Sequence, residues 1–438
     1  MTHSKSLQLQ DHAKNRIPGW NQLLSKRPDQ FSAGVWPGYY KKASGVEIWD
    51  MDDNRYIDMS ISGIGANVLG YADPDVNAAV CHAIQEGSSS SLNSYEEVQL
   101  ADKLCELHPW ADQVRFARTG GESMTIAVRI ARAATGRSKI AFCGYHGWHD
   151  WYLAANLKTS DALNEHLITG LDPIGVPKEL AGTAIPFRFN DSAALEAIIR
   201  DHGHELAAIV MEPIRYSPPT PEFLETLNKC KSLSGAVLII DEISAGFRVT
   251  PGGAHLTLGY DPDIAVFSKA LGNGFPIGAV IGKKSVMTAA TTTFISSTCW
   301  TERVGFVAGL AVIDKYVRNN VHTHLIAIGT AVQTGWAKAA QTTGLDISIS
   351  GIPPLSNFAF KDANPLELKA YYVQLMMDQG FLASNLFYSM YAHTLDHVSA
   401  YIAATTAAFQ TIKDDLSQGT VASKLRGKPA NSGFLRLN

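Results

Sequence analysis

Cysteine is scarce in this chain of 438 residues. There are five, Cys81, Cys105, Cys143, Cys230 and Cys299, an odd and scattered set without a CxxC pair. That argues against a disulfide framework and supplies no zinc spacing, so no metal is expected and most of the cysteines read as small buried apolar groups. Long apolar runs are missing as well. The longest, Val304 to Ile313, has half of the roughly 20 residues needed to span a bilayer. The opening MTHSKSLQLQDHAKNR lacks the apolar stretch of a secretory signal, and a soluble, cytoplasmic protein with no membrane contact is expected. Charge of one sign is also lacking: 37 Lys and Arg stand against 41 Asp and Glu, net −4, with the basic residues dispersed. No basic patch invites nucleic acid. Charged residues make up 18% of the chain, below the usual value of about 25%. This fits either surface buried against another subunit or the smaller surface share of a large protein.

What is present is alternation. Between about 95 and 281, apolar strand-like runs take turns with helical periodicity: strands at 114–117, 140–142 and 206–211, helices at 123–134, 193–200 and 221–233. That pattern predicts an α/β fold with a mostly parallel sheet covered on both faces. Residues 46–58 read as a hairpin, and 144–187, rich in Gly, Pro and Asn, reads as one long irregular segment of the kind that serves as a lid or binding loop. The remainder mixes helices (366–377, 395–412) with short strands such as 347–349, a smaller α+β domain. The expected division is 1–60 as an N-terminal part of the small domain, 61–310 as the large domain and 311–438 as the C-terminal small domain.

The chemistry lies where apolar strands stop at ionisable residues. Ala236-Val237-Leu238-Ile239-Ile240 ends at Asp241, and Ile264-Ala265-Val266-Phe267-Ser268 ends at Lys269. An acid and an amine at the carboxyl ends of neighbouring parallel strands share the crevice where open α/β sheets bind ligands. That pair suits pyridoxal 5'-phosphate: the lysine forms the Schiff base and the acid keeps the pyridine nitrogen protonated. Four further segments fit the same reading, each with a plainer alternative. Arg118-Thr119-Gly120-Gly121-Glu122-Ser123 joins strand to helix, as a phosphate loop or a tight turn. Tyr145, in GYHGWHDWY, stacks on a flat ring or anchors its loop. His146 and His149 form a weak metal pair without a third ligand. Glu212-Pro213 ends a strand, orienting a neighbour or holding a turn. Thr298, with Ser296 and Ser297, donates to phosphate or caps a helix.

These segments, Tyr145-His146-Gly147, Glu212-Pro213, DEISAGFR (241–248) and SKALGNGFPIG (268–278), resemble in the same order the class III aminotransferases. The resemblance covers about Trp36 to Leu310 clearly. It implies the aspartate-aminotransferase-like fold (PLP fold type I), with a seven-stranded large domain, and a homodimer whose active sites are shared. It implies that Lys269 carries the coenzyme, Asp241 pairs with the pyridine nitrogen, Tyr145 and Ile243 cover the two ring faces and Glu212 lies near the ring hydroxyl. Thr119, Gly120 and Gly121 match the phosphate loop, and Thr298 the residue that reaches the phosphate across the dimer interface. Arg248, Arg215 and Arg303 are the candidates for a substrate carboxylate, each with an ordinary ion pair as the alternative. Glutamate-1-semialdehyde aminomutase is a large similar branch. This chain departs from it: there is no Arg in 34–42, the phosphate loop reads RTGGES, and Ile214-Arg215-Tyr216-Ser217 follows the Glu-Pro pair. GYHGWHDWY, STCWTER and the SGFLRLN ending look more like a sugar-acid branch that includes the enzyme making 8-amino-3,8-dideoxy-manno-octulosonate for lipopolysaccharide. Glutamate as amino donor and a sugar-acid aldehyde as acceptor follow from that likeness, with the aminomutase reaction as the alternative.

Overall fold

The computed structural model describes residues 4–166, 168–214 and 216–434. It divides into two units, one made of 1–73 with 323–438 and the other of 74–322.

The second unit is built on a seven-stranded sheet. Its order is Gln113–Ala117, Gly278–Gly282, Ile264–Phe267, Val237–Asp241, Leu206–Met211, Lys139–Cys143 and Ala184–Pro186. Only Gly278–Gly282 runs against its two neighbours; the other pairings are parallel. The central strands LAAIVM and VLIID are buried at every position, as a sheet covered on both faces requires. Side chains alternate between two cores. Val210, Ile239 and Val266 pack with Met124, Ala127 and Ile130 of the helix Gly120–Thr135. Ile209, Leu238 and Ile240 pack with Phe223 and Leu227 of the helix Pro221–Ser234 and with Leu195 of Ser192–His202. The helix Arg303–Arg318 lies on Pro74–Glu86 and Glu96–Leu107 and so stays with this unit.

One feature differs from the sequence reading. The segment 144–187 is not wholly irregular: it holds short helical turns, and Ala184–Pro186 forms the sheet's edge strand. Three residues carry too little periodicity to register as a strand before their partner is known. In Glu96–Leu107 the buried face is Leu100 and Leu104, while Val98 is exposed.

The first unit holds a four-stranded sheet, Tyr40–Ser44, Glu47–Asp50, Arg55–Met59 and Phe381–Ala383, and a three-stranded one, Ile347–Ser350, Leu355–Phe360 and Leu386–Tyr388. The helices Val321–Thr343, Pro365–Asp378 and Leu395–Gln418 close an aromatic core of Trp336, Phe358, Tyr372 and Phe409.

Candidate active site

All the site residues expected from sequence belong to the second unit. Val237–Asp241 and Ile264–Phe267 are adjacent and parallel, with Asp241 opposite Val266. Both strands are buried to their ends, so the first polar groups beyond them meet at one edge of the sheet.

Asp241 is 3% exposed. One carboxylate oxygen accepts the Ile243 N–H at 3.0 Å, and the other lies 2.7 Å from His146 Nδ1. His146 is equally buried, and its Nε2 lies 3.1 Å from the Cys143 carbonyl oxygen. A carbonyl can only accept, so Nε2 is the donor there and Nδ1 is the ring nitrogen turned to the carboxylate. The imidazole thus backs Asp241 from behind.

Lys269 has φ of 46°, a left-handed conformation that costs a non-glycine residue on the order of 1 kcal/mol. The buried turn Ala270-Leu271-Gly272 holds it there. Its Nζ donates to Ser244 Oγ at 2.7 Å. Burial pushes the Lys269 pKa below the ordinary lysine value; Asp241 and Glu212 oppose this, and the Arg248 guanidinium adds to it. A depressed pKa leaves more of the amine neutral, which is its nucleophilic form.

The helix Gly120–Thr135 begins three residues before the Ser123 read from sequence. A reciprocal cap sets that start. Thr119 Oγ1 accepts the Glu122 N–H at 3.4 Å, while Glu122 Oε2 accepts the N–H groups of Thr119 at 3.0 Å and Arg118 at 3.1 Å. A Cβ on Gly120 would stand 3.0 Å from Ile243 Cδ1, and one on Gly121 3.0 Å from His149 Cδ2. Bare glycine backbone therefore faces these neighbours at a helix start whose N–H groups have no intrahelical acceptor.

Tyr145 is half-buried, edge-on to Tyr152 at 5.9 Å, and burial together with the Asp241 charge raises its pKa. Its N–H donates to Glu212 Oε2 at 3.4 Å, over a Gly144 whose added Cβ would stand 2.5 Å from that oxygen. Thr298 is apart from this group. It is exposed on the short turn Thr298–Thr301, and among the described residues no hydrogen bond joins it to the others. The helix after it is capped by the Glu302 carboxylate, which accepts the Val304 N–H at 2.7 Å, rather than by a Ser or Thr.

Of the three arginines, Arg303 is engaged by Glu96 at 2.6 Å and Glu86 at 2.9 Å, an ordinary ion-pair cluster. Arg248 is buried, and its Nε donates to the Ser244 carbonyl at 3.2 Å. Arg215 lies outside the described residues, as do 435–438 of the SGFLRLN ending. Ser244 and the His146–Asp241 contact were not legible in the sequence. The only signal for His146 was its place beside Tyr145.

The chain matches the family described as Aminotransferase class-III over residues 32–382. The chain belongs to the class-III aminotransferases. It is 30% identical over 423 residues to the 3-aminobutyryl-CoA aminotransferase of Cloacimonas acidaminovorans, covering 94% of this chain and 98% of that protein. It is also 30% identical over 385 residues to the 2'-deamino-2'-hydroxyneamine transaminase of Streptomyces kanamyceticus, covering 87% of this chain and 92% of that one. Among solved structures, the FumI protein of Sphingopyxis sp. MTA144 in its PLP internal aldimine form superposes with a TM-score of 0.86 at 25% identity, covering 98% of this chain and 99% of that one. This aminotransferase has the PLP fold type I architecture and uses pyridoxal phosphate. The residues present fit that coenzyme. A half-buried amine of lowered pKa, a buried carboxylate and a glycine-lined helix start, which a Cβ would crowd, belong to one unit.

Proposed function

We propose that this aminotransferase takes an amino group from glutamate and gives it to the aldehyde of a sugar acid. The acceptor is 8-oxo-3-deoxy-manno-octulosonate, the product 8-amino-3,8-dideoxy-manno-octulosonate, and the role a step in lipopolysaccharide synthesis in the cytoplasm. The observation that carries the chemistry is the Lys269 amine, lowered in pKa by burial and held by Ser244 at 2.7 Å, in the unit that also buries Asp241. When bound, pyridoxal phosphate supplies an electron sink. Lys269 would hold the coenzyme through Nζ, and its neutral amine would serve as the base that takes and returns the proton at the reacting carbon. Asp241 would hold the proton of the ring nitrogen, with His146 set against its other carboxylate oxygen at 2.7 Å. Tyr145 and Ile243 would cover the two faces of the ring, Glu212 would serve the ring hydroxyl, and Thr119, Gly120 and Gly121 would hold the phosphate. Arg248 is the remaining described arginine for the donor carboxylate.

The acceptor class rests on the strings GYHGWHDWY and STCWTER and on a curated relative named for a hydroxyneamine, an amino-sugar derivative. A homodimer with shared sites accounts for apolar side chains otherwise left in water: Leu92 is 82% and Phe294 83% exposed, with Tyr95 and Trp148 also exposed. Thr298 then reaches the partner subunit's phosphate.

The test uses the coenzyme-loaded protein. Glutamate alone is expected to bleach the visible band and release one 2-oxoglutarate per bound coenzyme. Adding the 8-oxo sugar acid restores the band and yields the amine by mass spectrometry. No 2-oxoglutarate would refute glutamate as donor. Isomerisation of glutamate 1-semialdehyde without any second substrate would assign the aminomutase reaction instead.

A further inference from the structure

Three arginines from one strand–loop–helix unit converge on one exposed segment. Arg115 Nη2, from the strand Gln113–Ala117, donates to the Ile295 carbonyl at 2.6 Å. Arg129 Nη1, from the helix Gly120–Thr135, donates to the Phe294 carbonyl at 3.0 Å. Arg118 Nη2, from the loop between them, donates to the Trp300 carbonyl at 3.0 Å and to the Glu302 carbonyl. All four acceptors are main-chain oxygens. The arginines therefore set the path of residues 294–302 whatever its side chains are, and Thr298 lies within that stretch.

Arg118 is the central member. Its side chain is 10% exposed and its guanidinium lies 5.0 Å over the Phe306 ring. Gly305 leaves room for it, since a Cβ there would stand 3.2 Å from Nη1 and 2.7 Å from the Pro276 carbonyl oxygen, in the segment that follows Lys269. Its ion pair with Glu302 is long, 3.9 Å, because that carboxylate is occupied capping the next helix. Burying a guanidinium for so little charge compensation is poor as a stability device. As a fork that joins two backbone carbonyls, it is well suited. Its own N–H meanwhile donates to Glu122 Oε2 at 3.1 Å, inside the cap that shapes the glycine loop.

We propose that Arg118 is a positioning residue linking the two phosphate sites of the dimer. Its backbone belongs to the phosphate loop of its own site, and its side chain fixes the segment that presents Thr298 to the partner's site. This rests on the shared-site dimer proposed above. Coenzyme binding in one subunit is then sensitive to Arg118 in the other.

The test uses mixed dimers of two differently tagged full-length chains. One chain carries Lys269→Ala, so that only the other gives the visible band on titration with pyridoxal phosphate. Adding Arg118→Ala to the Lys269→Ala chain is expected to weaken coenzyme binding at the intact site about ten-fold, the worth of one hydrogen bond to a charged group. Thr298→Ala on that chain is expected to do the same, and the two together no more than either alone, since Arg118 acts through Thr298. If Thr298→Ala weakens binding in the partner and Arg118→Ala does not, the link through Arg118 is overturned while the shared site stands. If Thr298→Ala has no effect across the interface, the shared-site reading itself fails, and the proposal with it. Should Arg118→Ala not assemble, Arg118→Lys is read the same way, because a single ammonium cannot replace the two-carbonyl fork.

Discussion

Replacing His146 with Phe puts the backing of Asp241 to a direct test. The ring is enclosed by Phe142, Trp151 and Tyr152, so a phenyl group of similar shape keeps the packing and removes only the two polar contacts. Losing a hydrogen bond to a charged group costs about 1.5–3 kcal/mol. Leaving a buried carboxylate without its partner raises that to about 3–5 kcal/mol. Asp241 keeps the Ile243 N–H at 3.0 Å, so the lower end, about 3 kcal/mol, is expected. The assay is urea unfolding of the coenzyme-free protein at neutral pH, which removes the linkage to bound ligand. Combining His146→Phe with Asp241→Asn removes the stranded charge and is expected to recover at least about 1 kcal/mol relative to the sum of the single changes. A His146→Phe protein within about 0.5 kcal/mol of the parent, the spread of ordinary surface changes, or a strictly additive double variant, would refute the reasoning.

Three further outcomes follow from the same geometry. Because burial and Arg248 lower the Lys269 pKa, the rate of coenzyme attachment should rise with pH at a midpoint below the ordinary lysine range. Arg248→Gln should move that midpoint up, as stopped-flow absorbance across pH will show. Gly120→Ala and Gly121→Ala place a methyl against Ile243 and His149 at 3.0 Å, and each is expected to weaken coenzyme binding about ten-fold, on the order of the 1–3 kcal/mol cost of overpacking, in spectroscopic titration. His108 and His393 are fully buried, and desolvation lowers each from 6.5 to about 4. Neutral in the fold, they give up roughly 3 kcal/mol each as pH falls from about 6.5 to about 4. His108→Gln should flatten that part of the urea stability profile.

The parallel sheet was legible because its central strands are unbroken apolar runs. Leu206–Met211 and Val237–Asp241 carry no polar residue before their last position, and a sheet wetted on one face would have alternated. The edge strand Ala184–Pro186 was not legible, since its identity comes from pairing with Lys139–Cys143 rather than from its own three residues. The start of the helix at Gly120 was misplaced because glycines read as loop. Only the reciprocal Thr119–Glu122 cap shows why the helix begins there.

Sequence alone determined which chemistry the chain could hold: an acid and an amine each ending a buried apolar run, and a glycine pair between a strand and a helical stretch, are local features that survive without coordinates. Tertiary structure decided what surrounds them. His146 stands ninety-five residues from Asp241, Ser244 meets Lys269 only across adjacent strand ends, and Arg118 reaches carbonyls more than 180 residues away. Such contacts follow from strand order and loop path, and those are fixed by how the whole apolar surface is buried rather than by any short stretch of chain.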